Sequence, residues 1–183
     1  VIPAFNRADL TAQCLRAMIA NTGQVNYEVI IVDNASTDQT PQLCASLGGN
    51  ATVIRNPENY GFAVACNQGA DAANTDRIVF LNTDTEPFPD WLPPLVEVLD
   101  EETDVAAVGP KLLFPDGRVQ HAGVVLLEQE EYPPLVAQHM PYKVAADDPM
   151  VTVKRDLSIS TAACVMVRRQ AFEDVGGFDE GYW

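Results

Sequence analysis

Apolar, β-branched runs that alternate with amphipathic stretches constrain this chain more than any other feature. Tyr27-Glu-Val-Ile-Ile-Val32, Ala51-Thr-Val-Ile-Arg55 and Arg77-Ile-Val-Phe-Leu81 have the length and composition of buried strands, and residues of helical character separate them. Strands spaced in this way pair in parallel beneath helices, which predicts an α/β domain on a mainly parallel sheet. Val1-Ile2 reads as the end of a first strand. Leu10, Cys14, Ala17 and Met18 then recur at helical spacing, with Asp9 in the first turn and Gly23 as a stop. Ser36-Thr37-Asp38 offers capping groups for a helix over 39–47, and Asn59-Tyr-Gly-Phe62 leads into a small-residue helix through Ala73.

Later residues keep the pattern less strictly. A helix to about Asp100 and a strand at 105–108 continue it, but Phe114-Pro-Asp-Gly-Arg118 is a turn between extended runs, so the sheet is expected to be mixed. Residues 128–149, with Pro133, Pro134 and Pro141 and no sustained period, are expected to form a long loop. Ala162-Ala-Cys-Val-Met-Val167 predicts a last strand, residues 169–175 a short helix, and Gly176-Gly177 a break. Arg168 and Arg169, just before that helix, read as a solvated helix start, with an anionic acceptor as the sharper alternative.

The 183 residues suffice for a single domain over 1–183 with a sizeable core. No apolar run approaches the roughly 20 residues of a membrane span, so no transmembrane segment is expected. Val1 falls inside a strand-like run and Trp183 inside an aromatic stretch, which reads as a piece of a longer protein. A net charge of −15 argues against nucleic acid, whose phosphates are bound by clustered Lys and Arg. A small phosphorylated ligand fits only with a cation between it and the acidic protein. Cys14, Cys44, Cys66 and Cys164 are scattered, form no C-x-x-C pair and are expected to be free thiols.

In open α/β sheets ligands bind beyond the carboxyl ends of the strands. Polar residues stand there three times: Pro3-Ala-Phe-Asn6, Asp33-Asn34-Ala-Ser36 and Asn82-Thr-Asp-Thr-Glu86. Taken in order, Val1-Ile-Pro-Ala-Phe-Asn6, Val32-Asp-Asn-Ala-Ser-Thr-Asp38, Asn59-Tyr-Gly61 with Asn67-Gln-Gly69, Leu81-Asn-Thr-Asp84 and Gly176-Gly-Phe-Asp-Glu180 closely resemble glycosyltransferase family 2. The resemblance spans nearly the whole chain. It implies a GT-A type, Rossmann-like α/β/α sandwich and an inverting, metal-dependent transfer of sugar from a nucleoside-diphosphate donor, UDP or dTDP, to a glycan or lipid-linked acceptor. The run Asp116-Gly-Arg-Val-Gln-His-Ala-Gly123 resembles members acting on bacterial cell-surface polysaccharides.

The resemblance also implies roles. Asp33 accepts a hydrogen bond from the base or ribose, Pro3 and Phe5 line the base pocket, and Asn34, Gly61, Asn67 and Asn82 complete the donor side. Asn34 replaces the second Asp of many members, and an amide donates as well as accepts. Asn82 likewise replaces the first Asp of a D-x-D pattern. That leaves Asp84 as the expected ligand of Mg²⁺ or Mn²⁺, hard cations that take oxygen donors, with Glu86 a weaker candidate. Asp179 and Glu180 are expected on the acceptor or donor-sugar side, because the family's usual base belongs to an E-D motif that follows such a segment, past Trp183. His121 is expected to be structural or acceptor-facing rather than a metal ligand. Free thiols and the site of nucleotide-sugar synthesis point to a cytoplasmic location, compatible with attachment at the inner membrane face.

Two other classes compete with this reading. A non-catalytic nucleotide-sugar-binding module accommodates Asn34 and Asn82. A nucleotidyltransferase or dinucleotide-binding dehydrogenase needs a glycine-rich phosphate loop after the first strand, where Pro3-Ala-Phe-Asn-Arg-Ala has no glycine.

Overall fold

The computed structural model describes residues 1–23, 25–128 and 135–182. The chain divides into two compact units, Val1–Val108 with Ala162–Trp183, and Gly109–Thr161.

In the first unit, β1 (Ile2–Ala4) pairs in parallel with β2 (Ile30–Asp33), which pairs in parallel with β3 (Thr52–Arg55). On the other side of β1 lies β4 (Arg77–Leu81). The Val1 amine donates to the Val79 carbonyl at 2.7 Å and Leu81 N–H to the Val1 carbonyl at 3.0 Å, the slanted bonds of a parallel pair. β10 (Cys164–Arg168) runs antiparallel to β4 and to β5 (Ala107–Val108). The spatial order is therefore β3-β2-β1-β4-β10-β5, mainly parallel and mixed.

Alternation along β4 and β10 produces the layers. Ile78, Phe80 and Val165 point to one face, under Cys66, Ala70 and Ala73 of α3 (Gly61–Ala72) and its end. Val79 and Met166 point to the other, against Leu92, Leu95 and Leu99 in and before α4 (Pro93–Glu101). Successive strand side chains face opposite ways, so a sheet buried on both sides reads as a continuous apolar run. The small residues of α3 let its backbone lie close to the sheet. α1 (Ala8–Asn21) buries Thr11, Cys14, Leu15 and Met18, one face at 3.6-residue spacing. α2 is Thr40–Ser46 and α5 is Arg169–Asp174.

Asp38 organises two helix starts at once: its Oδ1 accepts from Thr40 N–H and its Oδ2 from Ala8 N–H, both at 2.9 Å. Arg168 and Arg169 bond mainly to backbone carbonyls, and Arg169 Nη1 also pairs with Glu173 Oε1 at 3.5 Å within α5. Arg168 donates to the carbonyls of Leu99, Glu102 and Val105, and Arg169 to those of Ala70, Ala73 and Thr75. These carbonyls lie at or just past the carboxyl ends of α4 and α3, where a cation also suits the helix dipole.

The second unit contains two short hairpins. β6 (Leu112–Leu113) pairs with β7 (Val119–His121) across the expected Phe114–Arg118 turn, where Phe114 N–H donates to the Arg118 carbonyl at 2.7 Å. β8 (Val124–Glu128) pairs with β9 (Leu135–His139), which corrects the expected structureless loop over 128–149. Residues 129–134 of that stretch lie outside the described residues. All four cysteines are free and buried, as expected. Among the described residues no helix is long and apolar enough to cross a membrane.

Candidate functional site

The parallel strands β1, β2 and β4 end on one edge of the first unit, and the polar segments lie there. After β1, Phe5 is half exposed, and Asn6 and Arg7 both adopt φ 58°. Ala35, directly after β2, has φ 63°, a left-handed conformation that costs a non-glycine residue about 1 kcal/mol or more. The two loops hold each other in these shapes. Asn6 N–H donates to Ser36 Oγ at 2.8 Å, and Asn6 Oδ1 accepts from Thr37 N–H at 2.9 Å.

Asp33 is 1% exposed. Its Oδ1 accepts from Ser36 N–H at 2.9 Å and its Oδ2 from Arg55 Nη1 at 2.8 Å, while Arg55 Nη2 donates to the Ser36 carbonyl at 3.1 Å. Both carboxylate oxygens thus have partners within the protein. Arg55 was not singled out from the sequence. The parallel register that sets Asp33 opposite Arg55 is the signal that identifies it.

Asn34 makes use of its amide in both senses. Nδ2 donates to the Gly61 carbonyl at 2.9 Å, and Oδ1 accepts from Asn56 Nδ2 at 2.7 Å, which also reaches Gln68 Oε1 at 2.8 Å. A carboxylate at this position cannot donate to Gly61. The departure from the commoner Asp therefore has a local cause: the amide ties the end of β2 to the start of α3. Gly61 itself has φ 87°, which only glycine adopts without strain, and its N–H is capped by Asn59 Oδ1 at 3.0 Å.

After β4 the chain makes a turn, with Thr85 N–H donating to the Asn82 carbonyl at 3.2 Å and Thr85 Oγ1 to the same carbonyl at 2.6 Å. Cys14 Sγ supports that carbonyl from below at 3.5 Å, and Asn82 N–H donates to the Ala163 carbonyl at 2.9 Å. Asp84 stands exposed on this fixed turn. Glu86 is drawn aside, its Oε1 accepting from Gln13 Nε2 at 2.6 Å. Among the described residues no three His, Cys, Asp or Glu side chains converge on one point. Asp84 fits a hard cation that keeps waters and takes phosphate oxygens as further ligands, a common arrangement for Mg²⁺ with few protein carboxylates.

Phe178 delivers the Gly176–Glu180 segment to the same end of β4. Its ring lies 4.9 Å from Phe80, 5.3 Å from Phe172 and 5.8 Å from Phe62, centroid to centroid. Asp179 and Glu180 are exposed, and Asp179 Oδ1 accepts from Gly181 N–H at 2.8 Å. Glu180 Oε1 accepts from Asn67 Nδ2 at 2.9 Å. Pro3, within β1, is partly buried.

In the second unit His121 is 2% exposed, with Nδ1 2.9 Å from His139 Nδ1 and Nε2 3.4 Å from Ser160 Oγ. One imidazole donates to the other, so one must be a neutral acceptor. Burial, and secondarily His139, push the His121 pKa down to about 4. A cavity of about 410 Å³ in the first unit faces the amino ends of β2 and β4, against Tyr27, Glu28, Asn74 and Trp91, away from the polar strand ends.

A parallel sheet sandwiched by helices, with an exposed carboxylate on the turn after β4, is the architecture of GT-A type nucleotide-sugar enzymes. Residues 1–176 match the family model described as glycosyl transferase family 2, and the chain belongs to that family. It is 34% identical over 194 residues to the O-antigen biosynthesis protein RfbC of Myxococcus xanthus, covering all of this chain and 14% of RfbC. It is 26% identical over 178 residues to an N-acetylglucosaminyl-diphospho-decaprenol L-rhamnosyltransferase of Mycobacterium tuberculosis, covering 85% of this chain and 56% of the enzyme.

Among solved structures, S. aureus TarS 1-349 in complex with UDP superposes with a TM-score of 0.69 at 20% identity, over 99% of this chain and 49% of TarS. The mannosyltransferase PcManGT of Pyrobaculum calidifontis, in complex with GDP-Man and Mn²⁺, gives 0.67 at 21% identity, over 98% of this chain and 46% of that one. These likenesses establish the fold. The chain spans only part of each of these relatives.

Proposed function

We propose that this chain binds a nucleoside-diphosphate sugar, with UDP or dTDP as the nucleotide, beyond the carboxyl ends of β1, β2 and β4, and transfers the sugar with inversion to a glycan or lipid-linked acceptor. The observation that carries the reading is Asp84, an exposed carboxylate on a turn pinned by Thr85, Cys14 and Ala163 directly after β4. The UDP complex of TarS and the GDP-Man and Mn²⁺ complex of PcManGT support it by fold, and the rhamnosyltransferase relative supports a polysaccharide or lipid-linked acceptor.

In this reading Pro3 and Phe5 flank the base, while Asp33, braced by Arg55 and Ser36, keeps the β2 loop in shape. Asn34 and Gly61 fix the start of α3 beside it. Asp84 would hold Mg²⁺ or Mn²⁺, which when bound neutralises the departing nucleoside diphosphate. Asn82 contributes its carbonyl to the turn that aims Asp84. Asp179 and Glu180 hold the sugar or acceptor on the opposite side, where direct displacement requires the acceptor hydroxyl to lose a proton to a carboxylate.

Calorimetric titration with UDP and with dTDP, each with and without Mn²⁺, is expected to show Mn²⁺-dependent binding of one of them. Asp84→Ala is expected to lower transfer at saturating donor by at least about 100-fold and to remove the Mn²⁺ dependence. Wild-type turnover in that variant sinks the assignment of Asp84. Mn²⁺-dependent binding without transfer by the full-length protein identifies a donor-binding module instead.

A further inference from the structure

We infer that Asn67 is a positioning residue for the Glu180 carboxylate and acts through it rather than by contacting the donor. The inference rests on the reading above that Glu180 faces the sugar or acceptor. Its physical basis is the use of the Asn67 amide. A carboxamide has two N–H donors, and here Nδ2 serves two acceptors, the Phe178 carbonyl and Glu180 Oε1, both at 2.9 Å. Oδ1 accepts from Phe178 N–H, also at 2.9 Å. No N–H remains for a phosphate or a sugar hydroxyl.

Residues more than 100 positions apart are thereby locked at one point near the end of β4. Gly177 makes the approach possible: it has φ 78°, and a Cβ there would meet Asn67 Oδ1 at 2.7 Å. The ring of Phe178, set among Phe62, Phe80 and Phe172, anchors the segment from the other side. Packing alone would hold the backbone. The bond to Glu180 Oε1 does something further, because an exposed carboxylate held by one oxygen presents the other in a fixed direction. Glu180 is exposed, so without this bond its side chain would sample several rotamers and present its carboxylate in no fixed direction.

The test uses the full-length protein with Asn67→Ala and Asn67→Asp, each in the wild-type and Glu180→Ala backgrounds. Asn67→Ala is expected to speed exchange of the Phe178 amide about tenfold, to shift the ¹³C resonance of the Glu180 carboxylate, and to leave UDP or dTDP affinity with Mn²⁺ within about twofold. Transfer at saturating donor should fall about tenfold, and the same substitution in Glu180→Ala should lower it no further, since residues acting as a unit are non-additive.

Asn67→Asp keeps an acceptor for Phe178 N–H, so exchange stays near wild type. It sets a carboxylate against Glu180, so transfer falls as in Asn67→Ala, separating orientation from loss of folding. A tenfold loss of nucleotide affinity in Asn67→Ala, an unmoved Glu180 resonance, or an additive rate loss in Glu180→Ala overturns the inference. If the wild-type protein binds no nucleotide and transfers no sugar, the functional reading fails, and the exchange and resonance measurements still decide whether Asn67 orients Glu180.

Discussion

The unit formed by Val1–Val108 and Ala162–Trp183 buries what the Gly109–Thr161 unit exposes. All four residues of β2 are buried, whereas Val125, Leu126 and Leu127 of β8 are 40%, 53% and 46% exposed. In the first unit side chains cover the inner strands β2, β4 and β10, the edge strand β3 leaves Val53 40% exposed, and the polar candidate segments gather where strands end. In the second, the two-stranded pairs β6–β7 and β8–β9 rest mainly on backbone pairing, with Val119 and His121 of β7 as their buried side chains. Single substitutions should therefore cost much more in the first unit than in the second.

The largest effect is expected at Ile31, which is 0% exposed between β1 and β3. Ile31→Ala should cost about 4 kcal/mol, the usual range for emptying a close-packed site, read as a shift of the urea midpoint at unchanged slope. A cost below about 1 kcal/mol would mean that this sheet is not the rigid layer its burial indicates.

Asn34→Asp comes next, at about 3 kcal/mol. It removes the donor to the Gly61 carbonyl and leaves a charge on a side chain 4% exposed, beside an oxygen it cannot bond. Thermal melts at pH 7 measure it. A stable Asn34→Asp variant would show that the departure from the commoner Asp is not set by the tie to α3.

This contrast also explains what the sequence revealed. β4 was legible to the residue because a strand buried on both faces is an unbroken apolar run, and the small residues of α3 announced close packing. The candidate residues Asp33, Asn34 and Asp84 were legible as polar groups at strand ends. Arg55, by contrast, became visible only through the β2–β3 register, and the Asn67 clamp only through contacts spanning 111 and 113 positions. Arg168 and Arg169 were legible as a helix start but their carbonyl partners were not, because those lie 63 to 99 residues away. β9 was read as loop because Leu-Val-Ala-Gln-His neither alternates cleanly nor is buried, its pairing with β8 being a backbone matter.

The third effect belongs to the second unit and appears only in acid. The His121 pKa is held down to about 4 from 6.5, so the unfolded chain takes up a proton that the folded unit refuses. Stability from this source is fully present above pH 6.5 and declines as pH falls toward 4. The loss should be about 2 kcal/mol by pH 5. Amide exchange at β7 should quicken over that window while exchange at β2 does not, and His121→Gln should flatten the pH dependence. Equal acid sensitivity in both units would remove the His121–His139 pair as its cause.

The smallest effect is the sharpest test of the contrast. Leu126→Ala shortens a side chain that is 53% exposed and lies opposite Ala137, where cross-strand contact is slight. Cross-strand pairs of this kind contribute about 0.2–1 kcal/mol, and surface substitutions usually stay within about 0.5 kcal/mol. Deleting the same three methyl-group equivalents from a leucine as large as Ile31 should therefore cost about 0.5 kcal/mol, roughly an eighth as much, because backbone bonds from Val124 to Glu128 hold the hairpin and they survive the change. A loss of 2 kcal/mol or more at Leu126 would mean that β8 is covered in solution, and the difference between the units would then lie in what covers their strands rather than in how the strands are built.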